Sequence, residues 1–242
     1  MKTIIIMIVT VLTTFFLSNC SVENPAAKST ISTTPQNDIN LHYLALGDSY
    51  TIGQSVCSTC KFPEQLKYQL ANHPQNQNYS LDVIARTGWT TSNLINAIKD
   101  QSPSTDYDLV SLLIGVNNQF QGIDFSIYEK EFPELIAKSI SLAKGNKKRV
   151  IVLSIPDYAY TPFGQNYRNP ENTSIEIDRY NTFAKKYCED NAITFVNITD
   201  ITRNGLEDPS LVANDGLHPS VTAYKLFVER LFPHAIMAFK VE

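Results

Sequence analysis

Ser49, His218 and Asp215 are residue types that together can run nucleophilic chemistry: a hydroxyl, a base to take its proton and a carboxylate to orient the base. Ser49 ends the run Tyr43-Leu44-Ala45-Leu46-Gly47-Asp48-Ser49, where apolar residues pass straight into a polar turn. Asp215-Gly216-Leu217-His218-Pro219 sets a carboxylate and an imidazole three positions apart. At that spacing one turn of irregular chain lets Asp215 accept from one ring nitrogen while the other faces Ser49. Between them, Arg86-Thr87-Gly88-Trp89-Thr90 and Ile114-Gly115-Val116-Asn117-Asn118 each follow a strand-like run. Gly88 could offer a backbone N–H, and Asn117 a side-chain amide, to an oxyanion developing beside Ser49. Taken singly, each of these is an ordinary cap, turn or strand-end glycine. Their common placement is what points to catalysis.

The elements that must position them alternate. Apolar, β-branched runs predict strands at Tyr43–Leu46, Leu81–Ala85, Leu109–Ile114, Val150–Ile155 and Thr194–Ile198. Between them, helical spacing of apolar residues predicts helices over Pro63–Asn72, Ser92–Asp100, Ser126–Lys144 and Ser174–Asp190, with a last helix after Pro219 carrying Tyr224, Phe227 and Leu231. Strands alternating with helices of this length imply an α/β fold with a parallel sheet and helices on both faces. Ligands of such sheets bind at the carboxyl ends of the strands, where Ser49, Gly88 and Asn117 fall. The longest stretch without a regular pattern is Pro156–Thr173, which carries Tyr158, Tyr160, Phe163 and Tyr167.

These four stretches, in this order and spacing, resemble the signature blocks of the SGNH (GDSL-type) hydrolases, over nearly all of the chain after residue 40. The resemblance implies a three-layer α/β/α, flavodoxin-like fold with five parallel strands. It also implies a serine esterase: Ser49 as nucleophile, His218 as base, Asp215 as orienting acid, and the N–H groups of Ser49 and Gly88 with the Asn117 amide as oxyanion donors. That chemistry calls for no metal and no organic cofactor. The third block departs from the family pattern at Asn118, where aspartate is usual. The expectation is that only a supporting hydrogen bond changes, so that Asn118→Asp is nearly neutral. The family includes lipases, lysophospholipases, thioesterases and carbohydrate O-deacetylases, so the ester partner, small-molecule, glycan or lipid, stays open. The links between strands leave little chain for a lid, which favours short acyl groups. A non-catalytic, flavodoxin-like ligand-binding module is the alternative from another class. It is disfavoured because Asp48 puts a carboxylate where a bound phosphate would sit.

Composition bounds the rest. A chain of 242 residues with 43% apolar content supports one medium domain with an N-terminal extension. With 18% charged residues, a formal charge of −4 and no basic run, no nucleic-acid partner is expected. Residues 1–19 read as a signal peptide: Lys2, then an apolar run from Ile4 to Leu17, too short to span a membrane. Leu17-Ser18-Asn19-Cys20 resembles a bacterial lipoprotein processing site, which implies a lipidated Cys20, a polar tether over 20–40 and a hydrolase domain over 41–242. The expected location is the bacterial cell envelope, with membrane contact only through that anchor; secretion or a soluble periplasmic form is the alternative. In an exported chain, Cys57 and Cys60 favour a small disulfide over a redox or zinc site. Cys188 reads as a buried hydrophobe, and His42, His73 and His234 as surface residues.

Overall fold

The computed structural model describes residues 40–73 and 78–240. The expected signal peptide, Cys20 and all but the end of the tether lie outside them. Five strands form one parallel sheet: β1 Asn40–Gly47, β2 Asn78–Ala85, β3 Leu109–Leu113, β4 Val150–Leu153 and β5 Thr194–Val196, in spatial order β2-β1-β3-β4-β5. All five expected strands are present. β1 and β3 are buried along nearly their whole length, as central strands covered on both faces must be.

The helices are α1 Ser49–Ile52, α2 Phe62–Ala71, α3 Thr91–Gln101, α4 Val116–Phe120, α5 Phe125–Leu142, α6 Pro162–Tyr167, α7 Pro170–Asp190, α8 Thr199–Thr202 and α9 Val221–Phe239. The strand order reverses direction once. β1 to β2 steps one way, and β2 to β3 crosses back over β1. With right-handed crossovers this puts α2 on one face and α3, α5 and α7 on the other. The packing agrees, for α2 lies against α9 while α5 lies between α3 and α7. The crevice at that reversal opens at the carboxyl ends of β1 and β3, and Ser49 sits there.

Local signals explain most boundaries. Thr90 closes a reciprocal cap with Asn93 at the start of α3, and Ser220 caps α9 by accepting from the Ala223 N–H. The stretch 156–173 is the main departure from the sequence reading, being helical rather than irregular. Thr161 caps α6 with Pro162 behind it, and Asn169 caps α7 with Pro170 behind it. A capping residue followed by proline at the first helical position starts a helix. Apolar periodicity alone does not show α6 or the first turn of α7.

Candidate active site

Gly47 makes the turn below Ser49 possible. A Cβ there would collide with Thr51 Oγ1 and with the Leu113 carbonyl oxygen, so only glycine lets α1 fold back over the ends of β1 and β3. Asp48 then caps α1, its Oδ1 accepting from the Tyr50 N–H at 3.0 Å. Ser49 is left at the first helical position, largely buried. Gly88 lies beyond β2 with φ +82°, and a Cβ added there would meet nothing within 4 Å. Its backbone therefore faces open space in a conformation that suits glycine.

Asp215 and His218 meet as their spacing allows. His218 Nδ1 lies 2.6 Å from Asp215 Oδ2, and the backbone N–H groups of Leu217 and His218 donate to Oδ1 at 2.9 and 3.0 Å. The loop is closed by its own hydrogen bonds, Ala213 N–H to the His218 carbonyl and Gly216 N–H to the Ala213 carbonyl. Ser55, on the loop after α1, donates its hydroxyl to Asp215 Oδ2 at 2.5 Å. Partial burial pushes the Asp215 carboxyl up, but the hydrogen bonds from Ser55, His218 and the two backbone N–H groups outweigh it. The carboxyl is held well below the usual carboxylate range. An ionised carboxylate only accepts, so His218 Nδ1 carries the proton and, in the neutral ring, Nε2 is a free base.

The other blocks are tied into the same place. Asn117 Nδ2 donates to the Trp89 carbonyl at 3.0 Å, Gln121 Nε2 to the Gly88 carbonyl at 2.9 Å, and Thr87 Oγ1 to Gln54 Oε1 at 2.7 Å. The Tyr50 ring stands edge-on to His218, centroids 5.7 Å apart. Thus α1 and the loop after it touch the second and the last blocks, and the second touches the third. The Ser49 hydroxyl itself forms no hydrogen bond to His218 or to another described residue. Ser–His contacts of unliganded hydrolases are often long and tighten around substrate. The N–H groups of Ser49 and Gly88 likewise donate to no described acceptor, and one Asn117 amide proton remains uncommitted.

The GDSL-like lipase/acylhydrolase family matches residues 45–226, which include Ser49, Gly88, Asn117, Asp215 and His218. The chain belongs to that family. It is an ester-hydrolysing enzyme. No curated protein matches it in sequence. Solved structures share its fold at low identity. The lipase Lip_vut3 from a goat rumen metagenome superposes with a TM-score of 0.65 at 21% identity, covering 80% of this chain and 97% of its own. A lipolytic G-D-S-L family protein from Veillonella parvula gives 0.61 at 17%, covering 80% and 97%. Axe2, an acetylxylan esterase from Geobacillus stearothermophilus, gives 0.58 at 19%, covering 85% and 97%.

In this GDSL-family hydrolase, Asn118 does more than sequence suggested. It is fully buried, accepts from the Thr91 N–H at 3.0 Å and donates its amide to Thr91 Oγ1 at 2.7 Å. Thr91 then gives its hydroxyl proton to Glu131 at 2.5 Å, and Ser92 donates to the other Glu131 oxygen at 2.6 Å. Asparagine is the residue that fits, because the one Thr91 proton is already spent on Glu131. Nothing in sequence linked Glu131, Gln121, Gln54 or Ser55 to the site; each reaches it only through the fold. Cys57 and Cys60 are joined by a disulfide, and Cys188 is a buried thiol whose pKa burial pushes up to about 12. His42 has Asp106 at 3.9 Å, and His73 rests on the Phe232 ring. A cavity of about 760 Å³ lies between α2 and α9, lined by Tyr68, Tyr79 and Val228, and touches none of these site residues.

Proposed function

We propose that this enzyme is a serine esterase working through a Ser49-His218-Asp215 triad and an acyl-enzyme. His218 Nε2 takes the Ser49 proton as Oγ attacks the ester carbonyl, then returns it to the leaving alcohol. Asp215 holds the Nδ1–H tautomer and stabilises the imidazolium. The N–H groups of Ser49 and Gly88 and the second Asn117 amide proton stabilise the oxyanion. Water then attacks the acyl-enzyme, with His218 again as base. The observation that carries this reading is the Asp215–His218 hydrogen bond in a loop tied to the nucleophile turn by Ser55 and Tyr50. Hydrolysis of p-nitrophenyl acetate, labelling of Ser49 by a fluorophosphonate, and loss of both in Ser49→Ala test it. A Ser49→Ala enzyme keeping more than a few per cent of the wild-type rate would refute it.

The acyl group is short in this reading. The cavity against His218, lined by Tyr50, Tyr158, Thr161 and Leu217, holds only about 10 Å³. Beside it, Phe120 at the end of α4 stacks on Tyr167 of α6 at 4.6 Å and 8°, with Phe163 against the same ring. In this reading that aromatic wall borders the acyl group and limits its length. A p-nitrophenyl series from acetate to palmitate checks this, with kcat/KM expected to fall along it; acetylated sugars in the panel distinguish a carbohydrate deacetylase.

Export to the cell envelope on a lipidated Cys20 completes the proposal. It rests on residues 1–40, and the disulfide in an exposed loop suits an oxidising compartment. No described helix is long and apolar enough to cross a membrane. Detergent phase partitioning of wild type against Cys20→Ala is the test.

A further inference from the structure

The loop between α1 and α2 has no part in the mechanism above, yet it reaches 160 residues along the chain to Asp215. Ser55 Oγ and His218 Nδ1 share one carboxylate oxygen, Oδ2, while both backbone donors take Oδ1. Ser55 is held there at some cost, for its φ is +67°, in the left-handed region a serine seldom adopts. The segment is braced on both sides. Gln54 N–H donates to the Ser49 carbonyl, Val56 N–H to the Gly53 carbonyl, and the Cys57–Cys60 disulfide closes the turn that follows. Gln65 of α2 then fastens the Cys60 carbonyl at 2.5 Å. A strained residue braced from both sides, with its hydroxyl on the acid of the triad, has a job.

We propose that Ser55 is a positioning residue for Asp215, and that the Cys57–Cys60 disulfide acts on catalysis by holding Ser55 in place. This rests on the triad reading. The Ser55 hydroxyl fixes the carboxylate in the plane that receives His218 Nδ1–H and takes up part of its negative charge. Without it the carboxylate presents more charge to the ring and is free to rotate. Imidazolium is then favoured, so the acid limb of the activity profile moves to higher pH, and kcat falls while KM hardly changes.

The other groups facing the pair are the same in every Ser55 variant. Tyr50 comes from α1, the ion-paired Asp157 and Tyr158 lie across the small cavity, and Tyr224 of α9 feels the Asp215 charge. Asp48, whose carboxyl burial pushes up to about 7, faces Tyr50 and Tyr224 and is likewise unchanged between the variants. A difference between variants therefore reports Asp215 and His218.

The test uses the full chain and p-nitrophenyl acetate, with Ser55→Ala and Ser55→Gly. Both are expected to lose about tenfold in kcat, the size of one hydrogen bond to a charged group, and to shift the acid limb upward. Glycine suits φ +67°, so Ser55→Gly keeps the backbone conformation and separates the hydroxyl from it. Wild-type kcat in Ser55→Gly, or a fall in kcat with an unmoved acid limb, would overturn the proposal. Cys57→Ser/Cys60→Ser is expected to lose kcat a few-fold alone and nothing further in the Ser55→Gly background; additive losses would show that the disulfide does not act through Ser55. The His218 imidazole titration followed by NMR in wild type and Ser55→Gly reads the same shift without turnover. It therefore tests Ser55 even if no ester is hydrolysed and Ser49 is not labelled, the results by which the triad reading itself would fail.

Discussion

Two aspartates flank Ser49, one in the turn before it and one behind His218, and their surroundings drive them in opposite directions. Asp48 is fully buried with one hydrogen bond, from the Tyr50 N–H to Oδ1, and its Oδ2 has no partner among the described residues. Burial pushes its carboxyl up to about 7, the Tyr50 N–H opposing. Asp215 is about 30% exposed and takes four donors, which hold it low. The contrast is one of donors supplied against water removed. In the proposed mechanism it separates a carboxylate held charged beside the base from a carboxyl that burial raises, in the turn under Ser49. Asn117 and Asn118 complete the set as amides, the first donating to Trp89 and the second both donating to and accepting from Thr91.

Exchanging carboxylate and amide at these positions breaks or sharpens the contrast. Asp215→Asn removes the charge and leaves an amide that can donate to Nδ1, favouring the wrong tautomer; kcat is expected to fall on the order of 10⁴-fold in p-nitrophenyl acetate hydrolysis, with the fold unchanged by circular dichroism. A loss under tenfold would mean that the charge at 215 is dispensable. Asn117→Asp aims a carboxylate at the developing oxyanion and keeps the shape. A fall in kcat of at least about 10²–10³ is expected, with KM much less affected, because the oxyanion exists only along the reaction path. A change confined to KM would place Asn117 on the substrate instead.

How much of this could be read from sequence follows from what each residue needs. The sheet was legible because buried parallel strands are short, continuous apolar runs such as Leu44–Leu46 and Val150–Leu153. Ser49, Gly88, Asn117, Asp215 and His218 stood out because each sits at a fixed offset from a strand end or from one another. Ser55 and Glu131 did not, since their partners lie 160 and 40 residues away and neither has a local pattern. Asn118 was visible as a departure but not in its consequence, which depends on where a threonine proton goes. The charge states of Asp48 and Asp215 are hidden for the same reason, being properties of packing.

Asn118→Asp makes that consequence measurable. The single Thr91 Oγ1 proton then faces two carboxylates, the one introduced in place of the Asn118 amide and that of Glu131, and one goes unsatisfied in a buried site. A loss of about 1–3 kcal/mol in stability is expected, read from the urea midpoint, with only a few-fold change in kcat. Adding Glu131→Gln supplies an amide donor and is expected to restore part of the loss. If Asn118→Asp alone is neutral, the Thr91 relay carries no energy.

Asp48→Asn has the smallest expected effect on rate, within a few-fold, and the most specific effect on stability. The Asp48 pKa is raised in the fold, from an ordinary value near 4 to about 7. Its contribution is therefore fully present below about pH 4 and is lost as pH rises to about 7, because the unfolded chain gives up the proton first. The slope is at most about 1.4 kcal/mol per pH unit across that window. Asp215, held low, acts below about pH 4 with the opposite sign, so the two windows do not overlap. Asparagine cannot titrate, whatever a second buried amide proton costs at every pH. Urea midpoints taken at unit steps from about pH 4 to about pH 8 should thus show wild type losing stability relative to Asp48→Asn with each step up to about 7. Parallel curves would mean that Asp48 stays charged under Ser49, leaving the two aspartates alike in charge state.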